Sequence, residues 1–191
     1  MNKTRFCALS AAAVLGLALT STAASAAIKA PVPSGDPDTT VTFTVTSGLL
    51  TMTAPDAVSL GTTTGTTDTG LPGSTVHGVM GDTVVTDDRA LLDATWTATA
   101  AESNFLTGTH TPDETIPATQ ATYNAGTITT VGIFLSAPVV TPITLSNGPQ
   151  TIVATNTDGD NTATWDAALA VAIPSTAVLG LYTGTLTQSV S

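Results

Sequence analysis

Thr39-Thr40-Val41-Thr42-Phe43-Thr44-Val45-Thr46 alternates without a break. Val41, Phe43 and Val45 fall on one side of an extended chain and Thr40, Thr42, Thr44 and Thr46 on the other, because successive strand side chains point to opposite faces. A period of two predicts a half-buried β-strand. Leu49 to Thr53 follows across Ser47-Gly48 and reads as its hairpin partner. The pattern recurs twice downstream. Leu92, Ala94, Trp96, Ala98 and Ala100 make one apolar face, and Trp165, Ala167, Leu169, Val171 and Ile173 make another, which Pro174 ends.

Weaker signals fill the intervals. Val76 to Thr86 reads as one or two short strands broken at Gly78 and Gly81. Phe105 opens a short segment, and Thr127 to Leu135, Thr151 to Thr155 and Leu181 to Val190 read as further strands. In the last of these, Tyr182, Leu186 and Val190 share a face. Pro138, Pro142 and Pro149 mark connections or a sheet edge, and Gly61 to Gly73 is a Thr/Gly tract expected to be a loop. No helical period of 3.6 is visible beyond the first 26 residues. Of the 191 residues, 42 are Thr, a β-branched type that favours strands. Seven to ten short strands separated by Gly, Pro and Asn turns predict an all-β chain, a single antiparallel β-sandwich of Ig-like or related barrel form.

The first residues read as an export signal. Lys3 and Arg5 precede an apolar run from Ala8 to Leu19, and Ala24-Ser25-Ala26 supplies the small-x-small site that signal peptidase requires. Cleavage after Ala26 would leave residues 27–191. Residues 27–38, with Pro31, Pro33, Gly35 and Pro37, read as an extended Pro-rich leader, and 39–191 as the β-domain. Cys7, the single cysteine, would leave with the signal, taking with it any disulfide or thiol chemistry. Past residue 26 there are two bases, Lys29 and Arg89, against 14 acids, a side-chain charge of −12. So few cations exclude nucleic-acid binding. No second apolar stretch of about 20 residues is present, so no membrane span is expected.

Motifs that carry chemistry are scarce. His77 and His110 stand in different contexts, without the three or four ligands that zinc requires. Asp87-Asp88 precedes Arg89, which suggests a local ion pair. Asp158 and Asp160, in Asn156-Thr157-Asp158-Gly159-Asp160-Asn161, offer clustered oxygens of the kind that calcium favours. The same residues also suit a tight hairpin turn, and the distal bidentate acid of a calcium loop is missing. Trp96 and Trp165 sit on the apolar faces of their strands, which suggests core packing.

Val85-Thr86-Asp87-Asp88-Arg89 leading into Trp96, Ile173-Pro174 followed by Gly180-x-Tyr182, and the terminal Tyr182 to Thr187 (Tyr-Thr-Gly-Thr-Leu-Thr) together carry a resemblance. The chain resembles a divergent member of the WxL-domain surface proteins of Gram-positive bacteria. Trp96 takes the place of the first signature tryptophan, in Trp96-Thr97-Ala98 with Ala where the family has Leu. At the second signature stands Gln188-Ser189-Val190. The resemblance implies an exported β-rich protein held non-covalently on the cell wall through peptidoglycan, with Trp96 either a wall contact or part of the core.

The expected function is therefore that of a secreted, extracellular or cell-wall-associated protein. It would bind peptidoglycan, another wall polymer or other surface proteins non-covalently, and carry out no reaction. An alternative is a self-associating matrix or fibre subunit, since alternating Thr-rich strands with few charges can add edge to edge. A secreted hydrolase, with Asp87 or Asp88 converging on other acids in a cleft, is a third reading.

Overall fold

The computed structural model describes residues 41–61 and 70–191. The expected signal peptide (1–26) and leader (27–38) lie outside the described residues, as does most of the Thr/Gly tract. The chain divides into two compact units, Met1–Phe43 and Thr44–Ser191. Of the first, residues 41–43 are described, and they lie outside any strand.

The fold is all-β, as the period-two patterns predict, and among the described residues there is no α-helix. Ten strands run in chain order: β1 (Leu50–Thr53), β2 (Thr75–Asp87), β3 (Ala94–Glu102), β4 (Phe105–Leu106), β5 (Thr115–Ile116), β6 (Ala121–Asn124), β7 (Ile128–Phe134), β8 (Ile143–Thr144), β9 (Gln150–Ala172) and β10 (Leu186–Val190). Eight of them form one antiparallel sheet that nearly closes as a barrel, while β4 and β5 make a separate two-stranded ribbon.

The 23-residue strand β9 is the spine of the sheet. Its first part pairs with β3, from Thr157 opposite Ala94 to Gln150 opposite Ala100. Its later part pairs with β2, from Asn161 opposite Asp87 to Ala172 opposite Thr75. β7 and β6 also pair with it. The Asn156–Asn161 segment, read from sequence as a turn or calcium loop, instead lies within this strand. A bulge absorbs its turn-forming residues: the register against β7 jumps between Gly132 opposite Asn161 and Ile133 opposite Asp158. Gly159 and Gly132 take φ of 62° and 99° there, conformations that glycine adopts at little cost.

Alternation sets the core. In β3, Ala94, Trp96, Ala98, Ala100 and Glu102 are buried, and in β9 Trp165, Ala167, Leu169 and Val171 are buried. Leu92, placed on the same face by its parity, is instead exposed, because Asp93 takes a left-handed φ of 53° and breaks the strand before Ala94.

The strand expected over residues 39–46 does not form within its described part. Val41, Phe43 and Val45 are 81%, 85% and 71% exposed. The chain is instead captured further on, where Gly48 N–H donates to the Asp88 carbonyl at 2.6 Å and Asp88 N–H donates to the Leu49 carbonyl at 3.0 Å. From there it continues as β1 antiparallel to β2, with Leu50 opposite Asp87. Gly48, one of the two expected turn residues, and Leu49 after it are thus bonded to the end of β2 instead. An alternating segment becomes a strand only when another strand takes up its backbone hydrogen bonds.

Candidate functional site

β1 and β10 end the path of paired strands: β1 pairs with β2, and β10 with β3. The two ends approach each other, yet no hydrogen-bonded pairing joins them among the described residues. Their inward residues mark the gap. Leu50 and Met52 on β1, and Leu186, Gln188 and Val190 on β10, are only half-buried, where the corresponding positions of β3 are buried.

A cavity of about 1130 Å³ reaches this gap: Met52 of β1 and Leu186 and Gln188 of β10 line it, but most of its wall comes from residues 54–60, 70–72 and 177–185. Its wall is more apolar than polar, and Met52, Met80, Leu169, Leu186, Phe105 and Tyr182 are among the residues that form it.

One buried carboxyl stands in that wall. Glu102, the last residue of β3, lies opposite Leu186 in the ladder and is 2% exposed, and its Oε1 has no hydrogen-bond partner. Burial pushes the carboxyl up to about 7, partly opposed by a hydrogen bond from the Ser103 backbone N–H. Near neutral pH it can therefore either donate or accept a hydrogen bond. Gly184 passes directly over it, where a Cβ would come within 2.6 Å of Oε1. Asp56, at the exposed rim, is the other acid of the lining.

The residues singled out from sequence lie elsewhere. Trp96 is 1% exposed and its indole N–H donates to Asn161 Oδ1 at 3.3 Å. It is a core residue, closed to any surface ligand in this fold. Trp165 is equally buried and donates to the Tyr123 hydroxyl. Asp87 is buried and paired with Arg89, whose Nε and one terminal nitrogen each donate to it at 2.8 Å. That bond, above all, lowers the Asp87 carboxyl below its usual range. Neither Asp87 nor Asp88 lines the cavity. Asp158 Oδ1 accepts from Asp93 N–H, and among the described residues no group of three or more His, Cys, Asp or Glu could hold a metal. His110 is exposed at φ 66°, and His77 lies in β2 rather than in a loop.

Glu102 was not among the sequence candidates, although a signal for it exists. It continues the even-numbered parity of Trp96, Ala98 and Ala100, so any strand extending two residues past Ala100 turns it inward.

No family model and no curated protein matches this chain. Among solved structures it is similar to a family 123 glycoside hydrolase from Clostridium perfringens, described in work on glycolipid glycan hydrolysis. The identity is 17% and the TM-score 0.34, over 63% of this chain and 19% of that one. The chain thus spans about a fifth of that enzyme's length.

Proposed function

We propose that this chain is an exported, non-enzymatic surface protein that holds an envelope component non-covalently, and that the cavity between β1 and β10 is where it does so. The observation that carries this reading is a largely apolar cavity that reaches Met52 on β1 and Leu186 and Gln188 on β10, two strands with no hydrogen-bonded pairing to each other among the described residues. Free strand edges offer a row of backbone donors and acceptors, and an apolar wall beside them offers pockets for alternate side chains. That combination suits an extended polypeptide, whose backbone can pair with the strand edges while its side chains enter the apolar wall. Among envelope components, other surface proteins are therefore favoured over peptidoglycan itself.

Co-sedimentation with purified Gram-positive envelopes tests the proposal, using intact walls beside walls stripped of protein. Retention on intact walls and its loss on stripped walls is expected. A chain that stays soluble with both, at every salt concentration and pH, overturns it. Self-association is a second reading, favoured by the exposure of Val41, Phe43 and Val45.

A further inference from the structure

β7 pairs along one side with β9, and among the described residues no strand pairs with its other side. Such an edge is a row of unpaired backbone donors and acceptors, and proteins commonly guard it with a charge, a proline or a bulge in the edge strand. β7 has neither charge nor proline, and the extra residues of its bulge belong to β9, between Asp158 and Asn161. The lack of charge reaches far beyond the strand. Residues 115–157 hold no Asp, Glu, Lys, Arg or His, in a chain of formal charge −10. Asp158 and Asp160, the acids beside β7, are on β9 and so on the side away from the free edge. We propose that β7 is a dimerisation edge, which pairs antiparallel with the β7 of a second copy about a two-fold axis. None of its residues lines the cavity, so the inference is independent of the cavity reading and gives self-association a surface.

Charge and pattern together select a second copy. Two acidic molecules repel each other over most of their surface, and least where neither carries charge. An uncharged edge has nothing to offer a basic or acidic partner, whereas this one complements itself. Val131 is the midpoint of β7. With Val131 opposite its own copy, Thr129 meets Ile133 and Ile128 meets Phe134 across the axis. Alternation puts Thr129, Val131 and Ile133 on the outer face, where Val131 and Ile133 are 68% and 59% exposed. Ile128 and Phe134 fall on the inner face, packed against the core yet only half-buried, because the sheet stops beside them. Pairing covers both sets with apolar or Thr neighbours, and such cross-strand pairs stabilise a sheet. One edge serves both molecules, so the contact is isologous and closes at two copies. Seven residues from each side make a small interface, and the dimer should come apart on dilution.

Sedimentation equilibrium of the purified chain over a wide concentration range tests this, with Val131→Asp and Leu92→Asp as paired variants. Both replace an exposed apolar side chain and add one negative charge, so near-UV circular dichroism should match the wild type in each. The wild type is expected to show a reversible monomer–dimer equilibrium. Val131→Asp sets two like charges face to face at the axis and should raise the dimer Kd more than about tenfold. Leu92→Asp, outside the sheet, should leave it within about threefold. Register is read by mild oxidation in a Cys7→Ser background. Val131→Cys should give a disulfide-linked dimer, whereas Thr129→Cys should not, since its two copies would lie about 13 Å apart. A wild type that stays monomeric overturns the proposal and leaves the edge to a different protein or to another part of this chain. Equal weakening by both Asp variants, assemblies larger than a dimer, or cross-linking at Thr129 instead of Val131 also overturn it. Envelope retention is a separate readout: dimerisation without retention would leave this inference standing and remove the surface-binding one.

Discussion

The indole N–H of Trp165 donates to the hydroxyl of Tyr123 at 2.8 Å, between the neighbouring strands β9 and β6. The hydroxyl in turn donates to Gln188 Oε1 on β10 at 3.1 Å. Burial holds the phenol in its neutral, donating form, its pKa pushed up to about 12. This chain of two bonds connects the buried centre of the sheet to one edge of the gap.

Tyr123→Phe keeps the ring and removes the relay. It leaves the buried Trp165 N–H without an acceptor, which should cost about 1–3 kcal/mol in denaturant unfolding. The Gln188 amide should lose its anchor at the same time. Hydrogen exchange should therefore quicken in β10 more than in β2.

Glu102 should make stability fall as pH rises. Its folded pKa, about 7, lies above the ordinary 4.5. The folded state therefore binds the extra proton between these values, and stability present below the lower one is lost by the upper. The decline from this group should be at most about 3 kcal/mol. Glu102→Gln should flatten the profile between pH 4.5 and 7 and raise the melting temperature at pH 8. An unchanged profile would mean that the carboxyl is solvated in solution.

Arg89 acts in the opposite pH direction through Asp87. The Asp87 side chain is 1% exposed and the Arg89 side chain 26%. Arg89→Ala should therefore strand a buried carboxylate and cost about 2–3 kcal/mol at pH 7, discounted for the partial exposure of the cation. Because the Asp87 pKa is depressed in the fold, the pair's stabilisation exists above its ordinary value and fades as pH falls. The penalty of Arg89→Ala should thus shrink in acid. Arg89→Lys should rescue little, since one ammonium cannot supply both parallel bonds. Chemical denaturation at pH 7 and pH 3 would measure both effects.

Trp96→Ala should destabilise the fold by about 3–5 kcal/mol, because it empties a buried site and leaves Asn161 Oδ1 without its indole donor. Any envelope retention should survive in Trp96→Phe under conditions where that variant is folded. Selective loss of retention in folded Trp96→Phe would mean that this side chain reaches a ligand, contrary to its burial.

Much of this protein is determined by local alternation. The parity of Trp96, Ala98 and Ala100, and of Trp165, Ala167, Leu169 and Val171, marks the inward faces of β3 and β9, because strand geometry sends every second side chain to the same side. An all-β architecture follows from those runs and from the Thr content. Local pattern does not decide which strands find neighbours. Residues 41–46 alternate as cleanly as β3 but remain outside the sheet, since Gly48 and Leu49 are held by Asp88, far away in sequence. Asn156–Asn161 has turn composition yet runs through β9, because β2, β3 and β7 together supply hydrogen bonds along it and a glycine bulge absorbs the misfit. The gap between β1 and β10, and the orphaned oxygen of Glu102 beside it, belong to the tertiary structure alone: a barrel's closure depends on how all its strands add up around the core, and no single stretch of sequence contains that sum.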